Sequence, residues 1–170
     1  MFGLLYFEIM ADKNKKSKTG TIVLVIILAI IIIPQFIPVK RDNPSVVADF
    51  NENPAVKAIF DRSCYDCHSN ETVWPWYSRI APISWQVAHD VHEGREHLNF
   101  SEWGSYSDRR LEHAREEILE ETQSGEMPLG MYLVIHSGAK LSEEDKQVIA
   151  AWAGPSHESG ESDEDEGDEH

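Results

Sequence analysis

From Thr19 to Val39 the chain carries no charged residue, and from Ile22 to Ile33 every side chain is apolar. This run limits the possible folds more than any other feature. A helix that is apolar on every face finds no place on a small water-facing core. About twenty such residues, at ~1.5 Å rise each, cover a hydrocarbon layer ~30 Å thick. The expectation is therefore two parts: a membrane-spanning helix over 19–39 and a separate domain in water. Removal of a leader requires small residues in an A-x-A pattern after the apolar run. Pro34-Gln35-Phe36-Ile37-Pro38-Val39 is bulky instead, so the run reads as an uncleaved single-pass anchor. Lys13, Lys15, Lys16 and Lys18 precede it. Basic flanks favour the cytoplasmic side, so residues 1–18 read as a cytoplasmic arm. The remainder then faces the periplasm from a bacterial inner membrane. Met10 stands directly before the basic arm and is a candidate start of translation.

The second constraint is Cys64-Tyr65-Asp66-Cys67-His68, which holds both cysteines of the chain. Two thiols three residues apart lie on nearly one face of a helical turn, and the next residue is an imidazole. The C-x-x-C-H spacing is that of covalent haem attachment, with each thiol on one vinyl group and His68 on the iron. Other readings fit less well. A zinc site requires four ligands from two such pairs, and no second pair exists. A thioredoxin-like dithiol requires a βαβ setting. A disulfide across two residues closes a strained ring.

Around this motif the pattern is all-α. Residues 40–53 read as a polar linker. Asn53 and Pro54 open a helix as N-cap and first residue; Val56, Ile59 and Phe60 form its apolar face, and it runs into the motif. Trp74, Trp76 and Tyr77 suggest pocket walls or an ordinary core cluster. Pro82 is a candidate for the carbonyl that accepts the His68 ring N–H and fixes its orientation. Arg79 is a candidate partner for a haem propionate. A second helix is expected over 84–94, with Gly94 just past its end. His89, His92, His97 and His113 read as surface histidines. Asn99 to Tyr106 reads as a connector. A third helix starts after Ser107 or Asp108 and ends before Gly125. Met127, in a loop before Pro128, is the candidate sixth ligand, a neutral thioether suited to low-spin iron. Met131 and the histidines compete for that position. Tyr132 to Ile135 is a short apolar run for the core or the haem face. Ser142 caps the last helix with Asp145 reaching back, and Gly154-Pro155 stops it.

Net charge is −15, which excludes the basic footprint that nucleic acid requires. Residues 155–170, a leading Pro155 followed by Ser, Glu, Asp and Gly with two histidines, read as a disordered acidic tail.

Four runs carry a family resemblance: 64–72, 74–82, 93–103 and Gly125-Glu126-Met127-Pro128-Leu129. The chain resembles a class I cytochrome c, and more closely the membrane-anchored bacterial haem-binding domain family, over about residues 45–154. The resemblance implies one covalent haem c, with His68 as proximal ligand, in a cytochrome c-like domain of three to five helices over 54–154. Gly130 stands where the family pattern usually has a second proline. It implies no substrate. Two functions remain open. One is an electron carrier with His68 and Met127 on the iron, partnered by a membrane-bound or periplasmic redox protein and loaded by the haem-ligation machinery. The other is a haem-based sensor or small-ligand module with a labile sixth ligand. A haem-free thiol oxidoreductase and a peroxidase using His136 or Glu126 fit less well.

Overall fold

The computed structural model describes residues 18–154. The basic arm, the second start and the acidic tail lie outside the described residues. Those described are helical, with no strand among them. They form two compact units: one contains residues up to 42 together with 74–90, and the other 43–73 with 91 onward.

The first unit begins with α1, Lys18–Phe36, whose mean hydropathy is 2.5. Its last turn, Ile33–Phe36, tightens to a 3-10 helix with Pro34 near its start. Gln35 ties this end to a later segment. Its Oε1 accepts the Ala81 N–H at 2.9 Å, and its Nε2 donates to the Ala81 carbonyl at 3.1 Å. Arg41 donates to the Ser78 carbonyl at 2.9 Å. The 3-10 turn Trp76–Arg79 and the first turns of α4, Ile83–His97, complete this unit.

In the second unit α2, Pro54–Ser63, starts as its sequence predicts. Asn53 Oδ1 accepts the N–H groups of Ala55 and Val56 at 2.9 and 3.3 Å. The helix does not run unbroken into the motif: the backbone breaks at Cys64, with φ −126° and ψ −35°. A single turn, α3 (Tyr65–His68), follows. The helix α5, Asp108–Ser124, ends at Gly125, whose φ of 82° is the left-handed conformation glycine tolerates best. The short α6, Gly130–Ile135, comes next, then α7, Glu143–Ala153. The capping box of α7 is complete. Ser142 Oγ accepts the Asp145 N–H at 3.1 Å, and Asp145 accepts the Ser142 N–H at 2.8 Å. Arg62 binds the same carboxylate at 2.8 Å and fastens α2 to α7.

The core of this unit is aromatic. Phe60 and Phe100 stack at 4.6 Å between centroids, and Tyr65 stacks on Phe100 at 5.2 Å. Two residues read as linker or connector are central to it. Phe50 is 1% exposed and Trp103 2%. Glu52 clamps the cluster: it accepts Trp103 Nε1 and Arg115 on one oxygen, both at 2.8 Å, and Trp152 Nε1 on the other at 2.9 Å. Burial pushes the Glu52 carboxyl up, but these donors outweigh it and hold the group below its ordinary range.

Candidate functional site

The break at Cys64 sets the geometry of the motif. The Cys64 carbonyl accepts the N–H groups of Cys67 and His68 at 3.1 and 2.9 Å. One turn therefore carries both thiols and the imidazole. The two residues between the cysteines hold that turn in place. Tyr65 is buried, and its hydroxyl donates to Asp49 at 2.8 Å. Asp66 accepts the Val73 N–H at 3.1 Å and the Tyr132 hydroxyl at 2.7 Å.

His68 Nδ1 lies 2.9 Å from the Gly94 carbonyl and 3.2 Å from the Leu98 carbonyl. Carbonyls only accept, so Nδ1 carries the proton and Nε2 keeps its lone pair. Burial pushes His68 below its ordinary range, the two carbonyls oppose this, and His97 adds to the lowering. The neutral form with a free Nε2 is the form that ligates metals. This corrects the expectation for Pro82. The proton it was expected to accept goes to Gly94 and Leu98, and the Pro82 carbonyl accepts the Trp85 N–H at 3.0 Å. The cause is the close approach of α4's last turns to the motif. Gly94 makes that approach possible. It lies inside α4 rather than past its end, and a Cβ there would meet the Cys67 carbonyl oxygen at 2.8 Å.

The chain after His68 is locked by buried polar groups. Arg95 donates to the Ser69 carbonyl at 2.6 Å and to Thr72 Oγ1 at 2.7 Å. Asn99 donates to Asn70 Oδ1 at 3.0 Å, and Ser101 Oγ accepts the Asn70 N–H at 2.9 Å. Sequence reasoning assigned none of these roles. Their only signal was membership of the quoted runs 64–72 and 93–103.

Cys64 and Cys67 are not joined in a disulfide, and both are half-buried. Burial, with Cys67 beside it, pushes the Cys64 thiol up to about 12. Redox-active pairs and zinc ligands need the thiolate, and a reactive thiol has its pKa lowered instead. Among the described residues, no three or more His, Cys, Asp or Glu side chains are grouped to hold a metal ion. His92 and His113 each face a glutamate one turn on, at 3.3 Å.

The remaining candidates stand on other segments. Met127 is half-buried, between Gly125 and α6, and its N–H donates to the Glu121 carbonyl at 3.1 Å. The Met127-Pro128 and Ala81-Pro82 bonds are cis. None of the α6 residues is buried, and Met131 is 84% exposed. Leu129, Val134 and Ile135 are exposed beside it. His136 stacks on Tyr132 at 4.1 Å. Arg79 is exposed at the end of its turn. Of the aromatics read as pocket walls, Tyr77 is buried and Trp76 is 74% exposed.

These residues fit a haem. The donor set is one imidazole, oriented by carbonyls, beside two thiols on the same turn. A second segment of the same unit offers a thioether and uncovered apolar side chains. A family model described as a haem-binding domain matches residues 29–154. No curated protein and no solved structure matches the chain.

Proposed function

This chain belongs to the haem-binding domain family, and on that premise we propose that it is a membrane-anchored c-type cytochrome domain that carries electrons in the periplasm. The observation that carries this reading is His68, held neutral with its Nε2 lone pair free, on the turn that bears both cysteines. One haem c, joined through Cys64 and Cys67, would supply reversible one-electron chemistry at its iron. Gly94 and Leu98 keep the His68 ring oriented and strengthen it as a ligand. Met127 offers a soft sixth ligand that leaves no open position for substrate. The acidic surface suits a basic patch on a redox partner in the same membrane.

Two observations support an anchor rather than a removable leader. The family match begins at residue 29, inside α1. Gln35, at the end of α1, is bonded to Ala81. The four lysines before α1 support a cytoplasmic N-terminus.

The test is the full chain expressed with haem-ligation machinery. The expected product is covalently coloured and shows a weak near-infrared sulfur-to-iron band that Met127→Ala abolishes. A colourless protein with two titratable thiols would sink the reading. A second reading, a sensor with a labile sixth ligand, draws on the lack of any buried residue in α6. It predicts a coloured protein without that band, whose reduced form binds carbon monoxide rapidly.

A further inference from the structure

Gln35 is the one polar side chain of α1 after Thr21 and stands near the helix end. At the edge of a hydrocarbon layer an unpaired amide is costly. Gln35 meets that cost partly within its own helix, where Nε2 donates to the Ile31 carbonyl at 3.0 Å, and otherwise with Ala81, giving to its carbonyl and accepting its N–H. Its partner must therefore lie at the same depth. Consecutive Cα atoms are about 3.8 Å apart, so Ile80, Pro82 and Ile83 stay within about 8 Å of Ala81. Arg41 repeats the tie one step further out, at the Ser78 carbonyl.

The segment held there exposes several large apolar side chains, with Arg79 as an exposed cation among them. Trp76, Ile80, Ile83 and Trp85 are all exposed, as are Phe36 and Ile37 at the end of α1. Tryptophan favours the layer between hydrocarbon and water, and that layer is roughly 5–7 Å deep on each side. All these residues belong to one compact unit with α1.

We propose that the segment Trp76–Trp85 is a second membrane contact, seated in the outer interfacial layer of the bilayer that α1 spans. The occupant of this surface is lipid, because the surface is continuous with the lipid-facing end of α1. The proposal rests on the reading of α1 as an anchor. It gives the unit that contains α1 a second point of contact with the bilayer.

The test uses the full-length, haem-loaded, reduced protein in phospholipid nanodiscs. Nitroxide labels are placed singly on Ile27→Cys, Trp76→Cys and Ile83→Cys, with Cys64 and Cys67 consumed as thioethers. Relaxation by oxygen, which concentrates in lipid, is compared with relaxation by a water-soluble nickel chelate. The expected result is oxygen exceeding nickel at all three positions, with positions 76 and 83 between position 27 and a label in water. If position 27 answers to oxygen but 76 and 83 answer to nickel, docking is overturned and the anchor stands. Shielding of 76 and 83 from both reagents also overturns docking, because the haem or protein then covers them. A position 27 that answers to nickel overturns both readings. Agreement of positions 76 and 83 guards against misfolding of either variant.

Discussion

The turn that carries His68 and the segment that carries Met127 belong to the same compact unit, yet they are held in opposite ways. Around His68, Ser69, Asn70, Asn99 and Ser101 are buried, and each is tied by hydrogen bonds. Beside Met127 no residue of α6 is buried, and Leu129, Met131, Val134 and Ile135 are exposed. The first region is preorganised: its ligand geometry is set by the protein alone. The second depends on something apolar to cover it. Each Å² so covered is worth roughly 25 cal/mol, so a haem face would stabilise this segment far more than it would stabilise the His68 turn. The His68 imidazole is presented rigidly and the Met127 thioether adaptably, and that is the difference between the two regions.

The strongest way to break the comparison is to remove the proposed points of covalent attachment on the His68 turn. Cys64→Ala with Cys67→Ala is expected to abolish covalent haem, read as haem staining on a denaturing gel; retained staining would refute the thioether assignment. Met127→Ala should leave that staining intact.

Next in size is Gly94→Ala. Alanine gains about 1 kcal/mol of helix propensity over glycine. Its Cβ meets the Cys67 carbonyl oxygen at 2.8 Å, and such overpacking costs about 1–3 kcal/mol. The expected net is destabilisation by about 1 kcal/mol, measured as a lower denaturant midpoint. A raised midpoint would show that α4 and the motif are not tightly apposed.

Glu52→Gln probes the core behind the fixed turn. It leaves two indoles and Arg115 competing for one acceptor, and should cost about 1–3 kcal/mol near neutral pH. The folded-state pKa of Glu52 is depressed from 4.5. The stability it supplies is therefore complete above about pH 4.5 and is lost as pH falls through the lower folded value. The gap between wild type and Glu52→Gln should accordingly narrow below about pH 4.5 in acid denaturation. A gap that widens there would mean the carboxylate is not stabilised by its donors.

Tyr132→Phe cuts the hydroxyl that joins α6 to Asp66. Global stability should fall by no more than about 1 kcal/mol, while imidazole or carbon monoxide should reach the iron faster. An unchanged binding rate would mean this clip does not steady the Met127 side. The smallest effect belongs to Met131→Gln: at 84% exposure, it should change stability within about 0.5 kcal/mol. A larger loss in the haem-loaded protein would place Met131 beneath the haem.

Features that depend on neighbours in sequence were legible without the fold. The apolar run of α1, the C-x-x-C-H turn, the Asn53 and Ser142 caps and the Gly125 terminus all follow from local spacing, because capping and helical facing act within one or two turns. The break at Cys64 and the inclusion of Gly94 inside α4 were not legible, since both answer to packing between segments far apart in the chain. Phe50 and Trp103 look like linker residues until α7 brings Trp152 against them.

Local spacing alone placed one imidazole and two thiols on a single turn. Tertiary structure decided which carbonyls orient the imidazole, and which backbone pairs with Gln35. The physical reason is that every residue carries a carbonyl of the same chemistry. Nothing in a residue's identity marks its carbonyl as the acceptor. Gly94 and Leu98 hold His68 only because the fold places α4's last turns against the motif.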